Sequence, residues 1–309
     1  MPLLLDKRLV FVTGKGGTGK TTVAAALGLA AARAGKRTIV VEVSSQERMS
    51  RAFRSEGVGH EQTELADGLW AMSIDPKRAL DEYLGDQVGQ RVSGLLFNNR
   101  IFEYFAAAAP GVPELATIGK VWDLAHLDRG NRKQAPYDLV IVDSPASGHG
   151  LAMLRTPRTF GEIARVGPIR RRADLIHDFI TDGAKTGVVA VALPQEMPVN
   201  ETIEFRAKLE DEMGMDTDVV VMNGLLPERF SAADVEKIEA IDDEPVSDEA
   251  WAALRAAHSE HRRARSQRAQ LRRLKKEAGA DVVTLPYLWE PELGLEDFER
   301  LADELERKL

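Results

Sequence analysis

Four residues near the N-terminus stand at a spacing that suits phosphate binding. The pattern G-x-x-x-x-G-K-[ST] is satisfied by Gly14, Gly19, Lys20 and Thr21. Glycines let backbone N–H groups turn inward around phosphate oxygens, a lysine neutralises the β- and γ-phosphates, and a threonine hydroxyl binds Mg²⁺. The sequence therefore predicts a nucleotide site. The loop residues expected to bind the nucleotide are Gly14, Lys15, Gly16, Gly17, Thr18, Gly19, Lys20, Thr21 and Thr22.

A carboxylate stands at the end of a later apolar run, YDLVIVD, at Asp143. An aspartate at the end of a strand beside a phosphate loop holds Mg²⁺ or a water bound to it. We therefore expect Thr21 and Asp143 to support the metal, although they are 122 positions apart in the chain.

Lys15 is a second lysine in the same loop, directly after Gly14. It comes too early to share the pocket of Lys20, so the two lysines need different roles. One alternative is an exposed loop lysine with no role. The other comes from the pattern GKGGTGKTT, which resembles the deviant Walker A loop of the signature-lysine ATPases. That resemblance implies a dimer in which Lys15 reaches the nucleotide of the partner subunit.

Further segments resemble one branch of that group, the arsenite-pump and tail-anchored-protein-targeting ATPases. They are DSPASGHG from Asp143, PGVPEL at 110–115, PQEMPVNET at 194–202, Asn223 in VVVMNGL, and RSQRAQLRRL at 265–274. The resemblance spans nearly the whole chain and implies hydrolysis of ATP to ADP and phosphate with Mg²⁺. It implies that Gly148 senses the γ-phosphate, that Asn223 reads the adenine edge and that Pro286 contacts the nucleotide.

The residue expected to orient the attacking water departs from the family pattern. Relatives carry an aspartate after the second strand, whereas the aligned position here is Ser44 in VVEVSSQERMSRAF. Serine does not accept a proton at neutral pH, and losing a positioned base costs about 10² to 10⁴ in rate. Glu42 and Glu47 are the nearby carboxylates that would compensate, or they are ordinary polar residues. The catalytic residues expected are Lys15, Lys20, Asp143 and Glu42.

The chain has no cysteine. This excludes disulfides and the C-x-x-C zinc pair of the tail-anchored-targeting branch, so no zinc is expected. His258 and His261 are close in sequence, but two histidines on an exposed charged helix are more often solvated than metal-bound. A client groove needs a flexible, Met-rich apolar surface. The apolar segment FNNRIFEYFAAAAP, 97–110, is the candidate for one, with ordinary core as the alternative.

The elements that must position these residues are short buried strands alternating with helices. Strands are predicted at residues 8–13, 37–43, 69–74, 137–143, 186–193, 217–223 and 281–285. Most are continuous apolar runs, which is typical of strands buried on both faces of a parallel sheet. The predicted fold is α/β: a doubly wound, mostly parallel sheet of about seven or eight strands of the P-loop NTPase type, with ligand at the carboxyl ends of the strands.

Helical stretches interrupt this alternation. We predict a helical insertion subdomain at about 77–130 and one long charged helix at about 247–278, following a loop. The C-terminal stretch GLEDFERLADELERKL predicts a capping helix with Leu295, Phe298 and Leu301 on its apolar face. No repeat or linker divides the chain, so residues 1–309 are expected to form a single P-loop ATPase domain.

Composition limits the function classes. The formal net charge of −8 argues against general nucleic-acid binding, which needs excess lysine and arginine. The basic stretch from Arg262 to Lys276 is expected to be a solvated face or a dimer surface. No apolar run approaches the roughly 20 residues that cross a bilayer, and the N-terminus leads straight into the loop, so a cytoplasmic protein without membrane insertion is predicted.

These features predict a Mg·ATP-dependent dimeric switch ATPase that binds a protein or membrane-segment client. Two alternatives stay open. One is a catalytically weak nucleotide-binding subunit that pairs with a paralogous ATPase, suggested by Ser44. The other is a MinD- or ParA-like positioning ATPase.

Overall fold

Among the residues that the structure describes, eight strands form one sheet. The structure is a computed structural model and describes residues 4–43, 49, 53, 59–76, 78–79, 111–126, 136–164, 166–241 and 247–309. The strands are β1 (Leu9–Gly14), β2 (Thr38–Glu42), β3 (Thr63–Ala66), β4 (Leu69–Ser73), β5 (Leu139–Asp143), β6 (Thr186–Ala192), β7 (Val219–Leu225) and β8 (Asp281–Pro286).

Eight α-helices lie in the same described residues. They are α1 (Lys20–Arg33), α2 (Val112–Ala125), α3 (Ser147–Ala164), α4 (Pro168–Thr181), α5 (Glu196–Met213), α6 (Ala232–Ala240), α7 (Asp248–Glu277) and α8 (Leu295–Glu306). None of these helices is both long enough and apolar enough to cross a membrane.

The strand order is β3-β4-β2-β5-β1-β6-β7-β8, and only β3 runs antiparallel to its neighbour. The chain moves from β1 toward one edge through β2 and toward the other through β6. A ligand site in such a sheet lies outside the carboxyl ends of the strands where the direction reverses. Here that point is the end of β1, where the predicted phosphate loop begins.

Successive residues of β1 enter two different core layers. Val10 and Val12 pack in the layer that contains the alanines of α1 and the apolar face of α8. Leu9 and Phe11 pack on the opposite face, in the layer built largely from α2, α3, α4 and α5. The sheet is therefore covered on both sides, which is why its strands read as continuous apolar runs rather than alternating ones.

All seven predicted strands are present, and each observed strand end lies within two residues of the predicted end. The eighth, β3, was not predicted. Its residues are TELA, they are half-buried or exposed, and it pairs only with β4 at the edge of the sheet. Four residues with no apolar run and few β-branched side chains give no strand signal, because the pairing with β4 determines their conformation.

The helices differ from the sequence expectation in two places. The long charged helix is α7, Asp248–Glu277, but α6 occupies part of the segment expected to be a loop, beginning at a capping box between Ser231 and Asp234. Within the predicted insertion the structure describes residues 78–79 and 111–126, and Leu115, Ile118 and Val121 of α2 belong to the main core. The candidate client segment, 97–110, lies outside the described residues.

The C-terminal helix α8 packs as a capping helix. Phe298, Leu301 and Leu305 are buried against the layer of α1, whereas Leu295 is exposed at the start of the helix. Its apolar face is therefore already covered by this chain's own core.

Candidate functional site

The phosphate-type loop connects the end of β1 to the start of α1. The carbonyl oxygen of Lys15 accepts hydrogen bonds from the Thr18 hydroxyl at 2.9 Å and from the Lys20 ammonium at 3.1 Å. Gly19 has the left-handed φ of +87° and directly precedes the first helical residue, Lys20. The loop therefore folds back on itself, and the Lys20 ammonium lies inside it.

The loop glycines divide into two kinds. A Cβ on Gly14 would lie 2.2 Å from the Val191 carbonyl oxygen, and one on Gly19 would lie 2.3 Å from Nδ2 of Asn223. Only glycine fits at these positions, because the loop packs closely against β6 and β7. In contrast, a Cβ on Gly16 or Gly17 would meet no described atom within 4 Å. The middle of the loop therefore faces open space of the kind that phosphates need.

The two residues expected to support a metal are in contact. The Thr21 hydroxyl donates a 2.6 Å hydrogen bond to Oδ2 of Asp143, which is only 6% exposed at the end of β5. The parallel pairing of β1 with β5 brings the strand end to the first turn of α1. Both groups offer hard oxygen atoms, which are the ligands that Mg²⁺ prefers.

The number of protein ligands also fits Mg²⁺ bound together with a nucleotide. Across the described residues, no group of three or more histidine, aspartate or glutamate side chains converges in a way that could hold a metal alone. Mg²⁺ usually takes one or two protein oxygens and completes its shell with substrate phosphates and water. Thr21 and Asp143 therefore fit the one or two protein oxygens that such a Mg²⁺ ion usually takes.

Glu42 lies beside Asp143 at the same edge of the sheet. The two residues are register partners on β2 and β5, and Glu42 is 1% exposed. Its Oε2 accepts a long hydrogen bond, 3.5 Å, from the backbone N–H of Met49. Glu42 is thus a buried carboxylate one strand away from the metal-supporting aspartate. Ser44 and Glu47 lie outside the described residues.

Lys15 does not return to its own loop. Its ammonium forms an ion pair with Glu201 on α5, and both side chains are about one-third exposed. Two lysines of one loop thus point to different places, Lys20 into the loop and Lys15 outward to α5. Glu201 belongs to PQEMPVNET, one of the segments that resemble the family. The sequence around it gives no sign that its side chain pairs with Lys15.

Asn223 connects the nucleotide loop to the far side of the sheet. Its amide Nδ2 donates a 3.0 Å hydrogen bond to the Thr18 carbonyl oxygen. Asn223 lies within β7, two residues before the strand ends, and its side chain lies against the loop. Pro286, at the end of β8, pairs with Leu225, two residues further along β7. Asn223 and Pro286, both expected to contact the nucleotide, therefore lie on neighbouring strands.

The start of α3 packs closely beside the loop. The Ser144 backbone N–H donates a 3.0 Å hydrogen bond to the Val12 carbonyl oxygen, and a Cβ on Gly150 would lie 3.0 Å from the Thr13 hydroxyl. Gly148 is exposed in the first turn of α3. This turn begins at Ser147, close in the chain to Asp143 at the end of β5.

Two residues of α7 that contact the segment after β7 were not predicted individually. Gln267 and Arg268 on α7 bind the backbone of Leu226: Oε1 of Gln267 accepts from its N–H at 2.8 Å, and the Arg268 guanidinium donates to its carbonyl oxygen at 3.2 Å. The segment RSQRAQLRRL thus has a positioning role beyond a solvated face. The nearby histidines diverge, since His258 contacts Glu239 and His261 contacts the Phe230 carbonyl oxygen.

A doubly wound parallel sheet whose first strand leads through this loop into a buried helix defines the P-loop NTPase class. Within that class, a sequence model of the anion-transporting ATPase (ArsA) family matches residues 7–175 and 168–247. This is more than half of the chain, so the chain belongs to the ArsA ATPase family.

Individual relatives agree with this assignment. The chain is 28% identical over 237 residues to ATPase BagA of Mycobacterium tuberculosis, covering 74% of this chain and 68% of that protein. It is 30% identical over 237 residues to a putative arsenical pump-driving ATPase of Halobacterium salinarum, covering 73% of this chain but only 36% of that protein. It is 26% identical over 211 residues to ATPase GET3 of Phaeosphaeria nodorum, covering 66% and 60%.

Proposed function

We propose that this chain is a Mg·ATP-dependent ATPase that works as a dimer and couples hydrolysis to opening and closing of that dimer. The observation that carries the proposal is the hydrogen bond from Thr21 to Asp143 at the mouth of the phosphate loop. It joins the two metal-supporting oxygens at the place where the loop leaves open space for phosphates. The names of the relatives, all ATPases, support the same activity.

Each loop group has a defined task in this proposal. The Lys20 ammonium exchanges the Lys15 carbonyl oxygen for β- and γ-phosphate oxygens, and the loop amides donate to the remaining ones. Thr21 and Asp143 would hold Mg²⁺, which supplies charge neutralisation of the phosphates. Gly148, in the turn after Asp143, would sense the γ-phosphate through its backbone.

Asn223 favours adenine over guanine. Because its Nδ2 donates to Thr18, the carbonyl Oδ1 is the part of the amide that would face a base. A carbonyl oxygen accepts a hydrogen bond from the adenine amino group, whereas guanine presents another acceptor at that position. ATP is therefore the proposed substrate, and ADP the product.

Lys15 is proposed to act on the partner's nucleotide. Its ammonium lies outside its own loop, on Glu201 at the surface, where a second subunit could receive it. A cation that enters another subunit's site in this way stabilises transition-state charge, which is worth about 10³ to 10⁵ in rate for an arginine finger. The partner is a second copy of this chain or a paralogous ATPase.

The proposed water-orienting residue is Glu42. It is buried and register-paired with Asp143, which supports this role in place of the family's aspartate at the position of Ser44. The proposal also includes the binding of a client. Exposed apolar side chains at Ile163, Val166 and Leu175, on and between α3 and α4, support a protein or membrane-segment client.

Complementation between two inactive variants tests the proposal. Lys15→Ala keeps its own site but lacks the lysine for its partner, whereas Asp143→Asn lacks a working site but still donates Lys15. Each variant alone should hydrolyse ATP at least about 10²-fold more slowly than wild type. An equal mixture should recover roughly a quarter of the wild-type rate, because half of randomly mixed two-fold dimers contain one complete site.

The controls separate the alternatives. ATP binding, measured by calorimetry, should survive in Lys15→Ala and be lost in Lys20→Ala. Tight ATP binding without hydrolysis in the wild type would contradict the homodimeric enzyme and favour the catalytically weak subunit. Activity of Lys15→Ala alone at the wild-type rate would refute action across a dimer.

A further inference from the structure

The long helix α7 carries a row of positive charges on the face that points away from the core. Its buried residues are Ala264, Leu271 and Leu274. At 3.6 residues per turn, five basic residues lie within about 100° of one another on the nearly opposite face, in a row roughly 30 Å long. All five are exposed, and they are called the α7 cationic face: Arg255, Arg262, Arg265, Arg272 and Lys276.

The cations of this face have no ion pair with any residue that the structure describes. No carboxylate stands three or four positions from any of them along the helix. Glu228 and Glu260 line a pocket together with Arg265, but they pair with Arg268 and Arg229 instead. The fold therefore leaves this row of cations without neutralising partners.

Such a row is unfavourable for the chain by itself. Like charges three or four positions apart repel on a helix, as Arg262 does with Arg265 and Arg272 with Lys276. The helix dipole favours cations only near the last turn, so it accounts for Lys276 but not for Arg255. Local arrangements that cost stability without serving the fold are found mainly at functional sites. The α7 cationic face therefore points to a partner with negative charge.

The spacing of the cations suits a partner that is itself a helix. Arg255, Arg262 and Lys276 are separated by multiples of seven residues, and Arg265 and Arg272 are separated by seven. Two helices that lie side by side meet along a seam with this seven-residue repeat. Ala269, at a further position of the same repeat, is small and exposed, so it does not hold a partner helix away.

A short acidic helix also suits this face better than an extended polyanion does. The chain has a net charge of −8, so a nucleic acid or an anionic bilayer that extends beyond the row meets an acidic surface. The segment 255–276 contains no aromatic residue that would stack on bases or anchor in a membrane. A helix of the same length as the row ends where the positive charge ends.

The acidic helices described in this chain do not suit the face. The helix α6 has 9 residues, which is less than half the length of the row. In α8, Asp303 and Glu304 already pair with Arg33 and Arg307. The complementary helix is therefore sought in another protein.

We propose that the α7 cationic face binds a helix of another protein whose glutamates or aspartates recur every seven residues along one side. The planar guanidinium of arginine binds carboxylates through two parallel hydrogen bonds, and four of the five cations are arginines. Exposed ion pairs are individually weak, so binding needs several at once and falls as salt rises. This interaction goes beyond the proposed hydrolysis of ATP and does not depend on it.

A labelled helical peptide tests the proposal directly. Its sequence repeats EAAEAAA over a helical length of roughly 30 Å, and a control peptide has the same composition with the glutamates spread around the helix. Fluorescence anisotropy should show tighter binding of the repeat peptide to the wild type. Combined Arg262→Glu, Arg265→Glu and Arg272→Glu should weaken that binding at least about 10-fold. This variant should keep the wild-type thermal midpoint, because it removes like-charge pairs.

A matched variant controls for the overall change in charge. It combines Arg171→Glu, Lys208→Glu and Lys237→Glu, three exposed cations on other helices, and should bind the repeat peptide nearly as the wild type does. An equal loss in this variant would show that net charge alone attracts the peptide. Equal binding of the two peptides by the wild type, or binding of neither, would refute the inference.

Other occupants of the face are separated by further probes. Duplex DNA, and vesicles of phosphatidylcholine with phosphatidylglycerol, represent extended polyanions. If either binds the wild type more tightly than the repeat peptide does, and the α7 variant loses that binding, a polyanion is the partner and the inference is wrong. If sedimentation shows that the α7 substitutions dissociate oligomers of this chain, the face belongs to a second copy, which also overturns it.

Discussion

Lys15 and Lys20 stand five residues apart in one loop, yet their ammonium groups have different partners. Lys20 donates to the loop backbone, whereas Lys15 pairs with Glu201 on α5. A pair between partly exposed side chains is worth little, about 0–1 kcal/mol, so the ion pair with Glu201 is easily exchanged for another anion. The outward lysine is therefore available to a phosphate brought by a second subunit.

The hydroxyl of Thr21 should be necessary for magnesium to strengthen ATP binding. Thr21→Val keeps the shape of the side chain but removes the hydroxyl that contacts Asp143. We expect the gain in ATP affinity on adding Mg²⁺ to fall by at least about 10-fold, the lower end of the loss typical for altered metal-site partners. Calorimetry with and without EDTA measures it. Thr21→Ser should retain the gain, and an unchanged gain in Thr21→Val would contradict the assignment.

Gly14 should be far less tolerant than Gly16. Gly14→Ala forces a Cβ to within 2.2 Å of a β6 carbonyl oxygen at a φ of +150°, whereas Gly16→Ala enters open space. The first change should lower the free energy of unfolding by about 2–4 kcal/mol, and the second by much less. Urea unfolding of both variants without nucleotide compares them. Equal stabilities would show that the close packing against β6 is incorrect.

Residue types and spacing predicted the loop and its link to Asp143, because both are local features of strand ends in a parallel sheet. The partner of Lys15 could not be predicted, since Glu201 is 186 positions away and meets it only through the packing of α5. The contact of Gln267 with Leu226 could not be predicted either, because it also depends on packing between distant segments. From the sequence, a glutamine on a charged helix is predicted to be solvated. Only the structure shows that the segment after β7 lies beside it.

At the scale of elements, α7 braces the segment after β7, next to the proposed base-reading residue Asn223. Only Ala264, Leu271 and Leu274 of its 30 residues are buried, so its attachment is narrow. The polar contacts to Leu226 add to that attachment. We infer that this helix fixes the loop after β7 more than it contributes to the core.

Gln267→Ala should weaken ATP binding without removing it. The substitution leaves the Leu226 N–H without its acceptor, which costs about 1–3 kcal/mol of stability, and it loosens the segment beside Asn223. We expect ATP affinity to fall about 3- to 10-fold, since a cost of about 1 kcal/mol corresponds to that range. Calorimetry and thermal unfolding measure the two effects. Arg272→Ala, on the exposed side of the same helix, is the matched control; equal effects in both variants would argue against the brace.

An acid-sensitive contact joins α5 to the loop before β7. Two hydrogen bonds from the Arg206 guanidinium, at 2.7 and 2.9 Å, lower the pKa of the Asp216 carboxyl. A lowered folded-state pKa contributes stability above the unfolded value, and this stability is lost as the pH falls through the folded pKa. The carboxylate is half-exposed, so the contribution is screened and small, about 0.5–1 kcal/mol.

Asp216→Asn should therefore be less stable than the wild type at neutral pH but not in acid. The stability difference should be constant above about pH 5 and shrink below about pH 4, as the unfolded-state carboxyl and then the folded-state carboxyl, whose pKa is lower, become protonated. Chemical unfolding across this range measures it. A difference for Asp216→Asn that persists at low pH would show that the contact acts through packing.

The strands and helices that were predicted correctly are those whose burial gives an apolar pattern in the sequence. Six of the seven predicted strands are mostly buried apolar runs, β8 buries only Val283 and Leu285, and α8 has a clear apolar face. It missed β3 and α6, whose residues are half-buried or exposed. Such elements are determined by pairing with β4 or by a capping box at Ser231, and their composition resembles that of loops.

At the scale of the whole molecule, the strand order explains how distant segments form one site. The phosphate loop after β1 lies between Asp143 on β5 and Asn223 on β7, so the proposed metal ligand and the proposed base-reading residue flank it. This order was not deducible from the sequence, which predicts alternation but not the neighbour of each strand. Lys15 points away from this arrangement to Glu201, and in the proposed mechanism it completes the site of a second subunit.

The rate of hydrolysis per chain should therefore depend on protein concentration. If Lys15 is supplied by a second copy, the specific activity of the wild type rises with concentration and reaches a plateau as dimers fill, following mass action. Lys15→Ala should stay low and flat throughout, although it binds ATP. Steady-state phosphate release, with sedimentation velocity at the same concentrations, measures both quantities. A wild-type rate that is high in dilute, monomeric samples would contradict the dimeric mechanism, because each chain would then have a complete site. A rate that stays low at every concentration, with ATP bound, would instead favour a paralogous partner as the source of the second lysine.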